Sequence, residues 1–143
     1  FYGEDIADTK SPFEMAVDYG TGTVSSGTLT PTSFFRIGQA CVIPETATVT
    51  SISGWLTSNG SNAVTIAICK ITPVEAVTTS VTPIVIDEIA VDGLSNNNKG
   101  VRINETTITT AALAAGDIIF PMIKEVSGGS SIYMNIAVQT TTF

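Results

Sequence analysis

Histidine is absent from this sequence of 143 residues. Its absence excludes the Ser-His-Asp and Cys-His arrangements of nucleophilic catalysis, and it removes the commonest zinc ligand. The chain also lacks a P-loop and a G-x-G-x-x-G followed by a helix, and its glycine-rich stretch GTGTVSSG contains no lysine. We therefore expect a protein that is not an enzyme and that holds no cofactor and no metal.

Charged residues are scarce, at 13% of the chain, where ordinary globular proteins carry about 25%. The six Lys and Arg are scattered, and 13 Asp and Glu give a net charge of −7. Phosphate binding requires clustered basic side chains, so we expect no nucleic-acid partner. No apolar run reaches the length of about 18 residues that a membrane-spanning helix needs, so we expect no membrane partner.

Cysteine is nearly absent as well, with only Cys41 and Cys69 in the chain. Two thiols are too few for a disulfide framework. Cysteine is often a small core residue, so the sequence predicts two buried free thiols, with a single bridge as the alternative.

Threonine and serine stand in place of the missing charges, with 22 Thr and 13 Ser. Threonine is β-branched and suits strands better than helices. Turn signals recur about every 8 to 15 residues, and no stretch has a convincing helical pattern. The sequence predicts an all-β fold, a single jelly-roll-like antiparallel β-sandwich of about eight strands over residues 34–143. Residues 1–33 are expected to form an extended N-terminal arm or a loosely held first strand.

Two stretches have the clearest strand patterns. In SIYMNIAVQT, apolar side chains recur at every second position, which predicts a strand with one buried face. In AVTIAICKI both faces are apolar, which predicts a central strand that is covered on both sides. The turn residues 58–62 separate this strand from ATVTSISGWLTS, and they predict a β-hairpin between the two.

Pro121 stands inside the strand pattern IIFPMIKEV. Proline has no N–H to donate to a ladder, so we predict that pairing is interrupted on one side of the strand at Pro121, at an edge or a bulge. An arm or a neighbouring subunit is expected to lie along that margin. The residues 111–115 before the strand predict a short turn, closed by Gly116 in a left-handed conformation.

Three residues are singled out as interface-facing or ligand-facing, namely Tyr133, Pro121 and Tyr19. Tyr133 falls on the strand face opposite to Met134, and Tyr19 belongs to the arm. The one tryptophan, Trp55, is expected in the core because apolar residues stand close to it in the sequence.

The carboxylates form no convincing catalytic pair. Asp87 and Glu88 are adjacent in a strand pattern, so they point to opposite faces and cannot act together. Glu105 and Asp117 would have to meet across a turn, and the sequence does not show that they do. A hydrolase that uses Asp117 is therefore disfavoured, and most of these acids are expected to be solvated.

Two segments carry a resemblance to a known class of proteins. CVIPETATVTSISGWLTSNGSNAVTIAICKITP and LAAGDIIFPMIKEVSGGSSIYMNIAVQT, roughly residues 41–73 and 113–140, resemble small β-sandwich modules of tailed-phage virions. The chain also looks like the trimeric jelly rolls of the tumour-necrosis-factor and complement C1q type, in which AGD likewise introduces a late strand.

The resemblance implies a structural virion protein, either a capsid decoration or spike protein or a component of a tail or fibre. Such a protein would assemble in the host cytoplasm with copies of itself, as a homotrimer, and with other virion proteins. The resemblance carries no catalytic residues. The alternative is a carbohydrate-binding or receptor-binding module of a fibre tip or of a bacterial surface protein, with a glycan as its ligand.

Overall fold

The structure, a computed structural model, describes residues 2–4, 17–18, 40–58, 63–72, 83–92, 100–127 and 132–142. At residues 2–4, 17–18, 58, 63, 92, 123–127 and 132 it describes the backbone alone. Tyr19 and most of the predicted arm lie outside these ranges, so the expected boundary at residue 33 stays a prediction.

Ten strands occur in the described ranges. Four of them have two or three residues: β1 (Tyr2–Glu4), β2 (Val17–Asp18), β3 (Cys41–Val42) and β8 (Ala112–Leu113). The longer ones are β4 (Ala47–Ser58), β5 (Ala63–Ile71), β6 (Ile84–Asp92), β7 (Gly100–Glu105), β9 (Ile118–Ser127) and β10 (Ile132–Thr142). None of the described residues is helical, so the all-β prediction is confirmed.

The strands form two sheets in the order of a jelly roll. The first sheet runs β1-β10-β4-β7, with β8 beside one end of β4; the second runs β2-β9-β5-β6, with β3 also on β9. If β2 and β3 are counted as one strand and β8 is left out, eight strands remain, which can be numbered 1 to 8 in chain order. In this numbering the first sheet has the order 1-8-3-6 and the second has the order 2-7-4-5. This is the order of two interlocked Greek keys, and it confirms the jelly-roll-like sandwich. Every ladder is antiparallel except the two-residue pairing of β2 with β9.

The core lies between the two sheets. From β10, Met134 and Ile136 are buried in it, and Val138 packs against the cluster. Ile103 of β7 is buried in the same layer, and Val101 packs against it. Both sheets contribute to this one cluster, which also contains Ile52, Leu56, Val64, Ile66, Ile68, Ile86 and Ile119. The buried face predicted for β10 is therefore confirmed at Met134 and Ile136.

The second sheet is apolar on its outer face too. A separate buried cluster there consists of Ala67, Cys69, Ile71, Phe120 and Met122. Because three of these belong to β5, whose alternate residues are buried in the central core, β5 is covered on both sides as its sequence predicts. This burial is reached within a single chain.

The hairpin predicted at residues 58–62 is wrong. β4 pairs with β10 and β7 in the first sheet, whereas β5 pairs with β6 and β9 in the second. Turn residues show that the chain reverses, but they do not show which sheet the next strand enters. In a jelly roll this connection crosses from one sheet to the other.

Within the described residues the ladder around Pro121 is interrupted on one side, as predicted, but β9 is neither an edge strand nor bulged at Pro121. On the β5 side, Ile68 pairs with Pro121 and the register continues through it without a shift. On the other side, β3 pairs with residues 118–119 and β2 with residues 122–123, and no described residue pairs with Phe120 or Pro121. The missing N–H therefore costs no ladder hydrogen bond if the nitrogen faces this gap.

The turn predicted over residues 111–115 is wrong for residues 112–113, which form β8. The turn that directly precedes β9 is held by the backbone of Ile43. Gly116 has a φ of 88°, the left-handed conformation that its position predicts. Its N–H donates to the Ile43 carbonyl (2.7 Å), and the Ile43 N–H donates to the Asp117 carbonyl (2.8 Å). These two bonds fix the entry of β9 beside β3 and bring the Asp117 side chain to the end of the sandwich.

The two cysteines are free, as expected, but only one of them is buried. Cys69 lies in the outer cluster of the second sheet, whereas Cys41 is exposed. The prediction of two buried thiols is therefore wrong for Cys41, because β3 has only two residues and both are exposed. Burial, with a smaller contribution from the nearby Glu88 carboxylate, raises the pKa of the Cys69 thiol to about 12.

We expect N-ethylmaleimide at pH 8 to modify one thiol per native chain. The thiolate is the reactive species, and the buried, high-pKa Cys69 supplies almost none of it. Mass spectrometry of the labelled protein should place the modification on Cys41, with Cys69 modified only in urea. Rapid labelling of both cysteines in the native protein, at the rate seen in urea, would contradict the buried position of Cys69.

Candidate functional site

Trp55 lies on the outer face of the first sheet rather than in the core. Ile52 and Leu56 of the same strand are fully buried, but Trp55 stands at the other parity and its side chain is 47% exposed. The expectation of a core tryptophan is therefore wrong. Closeness in sequence to apolar residues does not give burial in a strand, because odd and even positions face opposite ways.

The strand register places Trp55 in the middle of a row of side chains. Asn135 of β10 is opposite Trp55 on one side, and Arg102 of β7 is opposite it on the other. In the next row, Tyr133 of β10 is opposite Thr57 of β4, so Tyr133 is the diagonal neighbour of Trp55. Such diagonal neighbours stand about 7–8 Å apart, within reach of aromatic side chains.

We use the name aromatic face for the outward side chains of the first sheet around Trp55. Its members are Tyr133, Asn135, Trp55, Arg102, Thr57, Ser53 and Asn104. Tyr133 is 39% exposed, and Asn135 and Arg102 are exposed as well. Arg102 is the one charged side chain among these members, and within the described part of the chain it forms no ion pair. The face is thus flat, mostly neutral and rich in hydrogen-bonding groups.

One edge of the outer surface beside the aromatic face is ordered by side-chain hydrogen bonds. The Ser51 hydroxyl bonds to the side-chain oxygen of Gln139 (3.1 Å), and the Thr50 hydroxyl donates to the Gln139 carbonyl (3.3 Å). These bonds lie where the register between β4 and β10 shifts, next to Gln139. They hold this bulged part of the β4–β10 ladder in place.

The three residues singled out from the sequence do not come together. Tyr133 belongs to the aromatic face, and Tyr19 lies outside the described residues. Pro121 is buried in the second sheet, so its ring is not available to a neighbour. A neighbour could instead approach the backbone beside it, where no described residue pairs. Of the three, only Tyr133 is described as an exposed group.

Asp117 is the centre of a buried polar network. Its side chain is 1% exposed and accepts hydrogen bonds from the Lys70 ammonium (3.1 Å), the Thr72 hydroxyl (2.7 Å) and the Ala114 N–H (2.9 Å). Lys70 also donates to the carbonyl of Ala112 (2.8 Å). The network therefore ties the end of β5 to β8 and to the turn that precedes β9.

The network keeps Asp117 ionised. Burial alone would raise the pKa of its carboxyl. The hydrogen bonds from Ala114, Thr72 and Lys70, together with the Lys70 charge, outweigh burial and hold the pKa below its ordinary value of 3.8. A general acid near neutral pH needs a raised pKa, and both Asp117 oxygens already have partners. Its chemistry is that of a structural anchor.

The other acids considered from the sequence form no catalytic pair in the described ranges. Asp87 is buried and accepts a hydrogen bond from the Thr109 hydroxyl (2.8 Å), while its neighbour Glu88 is exposed, so the two face apart as predicted. Glu105 accepts from the N–H groups of Thr106 and Thr107 and not from Asp117. Across the described residues, no three acidic, cysteine or histidine side chains gather as metal ligands would.

Known proteins offer no further guide to this site. No family model matches the chain, and neither a curated protein nor a solved structure matches it significantly. Among the described residues there is no helix that is long and apolar enough to cross a membrane.

Two features of the site escaped the sequence interpretation. The sequence did indicate that Trp55 is exposed. Side chains alternate between the two faces of a strand, and Trp55 stands at an odd position whereas Ile52 and Leu56 stand at even ones. The Lys70–Asp117 pair had no signal, because 47 positions separate the two residues. Their meeting depends on the order of the strands.

Proposed function

We propose that this chain is a structural, non-enzymatic module of a tailed-phage virion that acts through protein–protein assembly. In this proposal it forms a homotrimer, assembles in the host cytoplasm and contributes to a head decoration, a spike, a tail or a fibre. The observation that carries the proposal is the jelly-roll strand order, which is the fold implied by the resemblance to phage modules. Jelly rolls recur in viral capsid proteins, although a fold alone does not assign a function.

The positions of the buried carboxylates support a role without catalysis. Asp117 is committed to Lys70, Thr72 and Ala114, and Asp87 is committed to Thr109. These contacts join strands and turns, so both buried acids have structural roles. The sequence has no histidine to replace them as a base.

Exposed aliphatic side chains give the assembly a surface to use. Val42 of β3 is 61% exposed and Ile84 of β6 is 50% exposed. The register places both at the same end of the second sheet. Val42 pairs with Ile118, which in turn pairs with Ile71 of β5. Ile84 pairs with Lys70, the residue next to Ile71. The outer face of that sheet is already buried within the chain, so this end rather than that face is available to a neighbouring subunit.

We expect light scattering after size-exclusion chromatography to give three times the mass of one chain. Measurements at about 1 µM and about 100 µM should agree, because virion modules form interfaces that do not dissociate on dilution. Mass spectrometry of purified phage particles from the host that carries the gene should detect the chain.

A monomer at both concentrations, together with absence from the particles, would reject the proposal. The variant Val42→Asp places a charge at the exposed end of the second sheet and should lower the observed mass. Asn104→Asp, which adds the same charge on the first sheet, serves as the matched control and should leave the mass unchanged.

A further inference from the structure

We propose that the aromatic face of the first sheet binds a saccharide that carries a carboxylate. The sugar ring would lie on Trp55, and its carboxylate would meet Arg102. This binding site goes beyond the assembly function and does not depend on it.

The open ring of Trp55 is the first step of the argument. Three of its four cross-strand diagonal neighbours, Gly100, Ala137 and Asn104, are small or polar, and the fourth is Tyr133. A large aromatic ring that is 47% exposed in mid-strand presents a flat apolar surface. The C–H faces of a sugar ring match such a surface in shape and polarity. Tyr133, one diagonal step away, supplies a second aromatic ring within reach of the same ligand.

Groups that bind hydroxyls and carboxylates flank the ring. Asn135 on one side presents an amide with donors and an acceptor, and Arg102 on the other presents a planar set of five donors. Ser53 and Thr57 add hydroxyls in the same strand as Trp55. A saccharide offers adjacent hydroxyls that pair with both kinds of group, whereas an aliphatic ligand would leave them unsatisfied.

Charge complementarity decides between a neutral and an acidic saccharide. Arg102 is the one charged member of the aromatic face, and the described residues offer it no ion-pair partner. A carboxylate would form short, charge-assisted, bidentate hydrogen bonds with the guanidinium group, which a hydroxyl cannot match.

A second copy of this chain fits the face less well. In a contact between the aromatic faces of two copies, each Arg102 would meet only neutral members of the face or the other Arg102, because Arg102 is its one charged member. A saccharide carboxylate supplies the opposite charge that a second copy lacks there. The saccharide is therefore the occupant that the charges favour.

The test uses an array that presents oligosaccharides containing glucuronic, galacturonic or sialic acid beside neutral oligosaccharides of matched backbone. We expect at least one acidic member to bind at least tenfold more strongly than its neutral counterpart. Trp55→Ala should abolish that signal, and Tyr133→Ala should weaken it. Arg102→Gln should remove the preference for the acidic member and leave residual binding of both.

A second readout comes from the single tryptophan of the sequence. Titration of the wild-type chain with the bound oligosaccharide should change the Trp55 emission and protect it from quenching by acrylamide. Val42→Ala, which shortens an exposed apolar side chain on the other sheet, is the matched control and should bind like the wild type. Circular dichroism in urea checks that each variant is folded.

Three results would overturn the proposal. The first is an array on which no acidic member exceeds its neutral counterpart. The second is binding that a folded Trp55→Ala variant retains. The third is a lower oligomer mass for Trp55→Ala, because the aromatic face would then belong to a contact between copies of the chain.

Discussion

Replacement of Gly54 by alanine is expected to lower the free energy of unfolding by about 3 kcal/mol or more, which places it among the most damaging single changes in this chain. A Cβ at Gly54 would overlap the main-chain oxygen of Asn135 and stand 2.9 Å from the Cα of Ile136. These are backbone atoms of β10, which cannot rotate away as a side chain would. Because β10 is paired with β4 along its whole length, relief of the clash requires the two strands to separate.

The matched control for Gly54→Ala is Gly100→Ala in the same sheet. The nearest atom to a Cβ at Gly100 is the carbonyl oxygen of Leu56 at 3.7 Å, an ordinary contact. Both changes restrict the unfolded chain equally, so the difference between them measures the clash alone. Urea unfolding followed by circular dichroism should show Gly100→Ala within about 1 kcal/mol of the wild type. Equal midpoints for the two variants would show that β4 and β10 do not approach as closely as described.

Removal of the Asp117 carboxylate is the second large effect that we expect. Asp117→Ala should lower the free energy of unfolding by about 3 kcal/mol, because it leaves the Lys70 charge, the Thr72 hydroxyl and the Ala114 N–H without their shared partner. Asp117→Asn keeps the shape and part of the hydrogen bonding, so it should fall between Asp117→Ala and the wild type. Thermal or urea unfolding of the three proteins at pH 7 gives the order.

The pH dependence of the Asp117 contribution has a definite sign. Its pKa is lower in the folded chain than the ordinary 3.8, so the folded state favours the ionised form. The stabilisation is complete above the unfolded pKa and is lost as the pH falls through the lowered folded pKa. The stability gap between wild type and Asp117→Asn should therefore be constant from pH 7 to about pH 5 and shrink below about pH 4.

The difference between these two proteins removes the contributions of the other acids, since Asp87 and Glu105 are present in both. Unfolding in urea rather than in a guanidinium salt preserves the Lys70–Asp117 attraction from screening. A gap that stays the same down to pH 2 would show that ionised Asp117 is not what the network stabilises.

The alternation of apolar side chains was enough to predict much of this fold. It placed Met134 and Ile136 inside, and it identified β5 as a strand that is covered on both faces. It also contained the outward position of Trp55, because strand parity indicates side-chain direction more reliably than closeness to apolar residues does. Side-chain direction in a strand is a local property, so a single sequence carries it.

Strand partners and the polar network are not local, and the sequence does not carry them in the same way. The turn at residues 58–62 predicts a reversal equally well for a hairpin and for a passage to the opposite sheet. The Lys70–Asp117 contact forms only after β5 and the turn before β9 have been brought together by the strand order. The aromatic face likewise depends on β10, β4 and β7 being neighbours, which no pattern within one strand reveals.

The positions of β9 and β10 affect how the chain can fold while it is being synthesised on the ribosome. β9 lies inside the second sheet and β10 inside the first, and each is a direct neighbour of the strand that carries most of the core, β5 or β4. Until residues 118–142 have been synthesised, β4 and β5 each lack one of their long ladder partners, and the core lacks Ile119, Met134 and Ile136. Such a chain folds late, because its sheets are completed by contacts between residues distant in sequence. Until then its exposed apolar residues make it prone to aggregation.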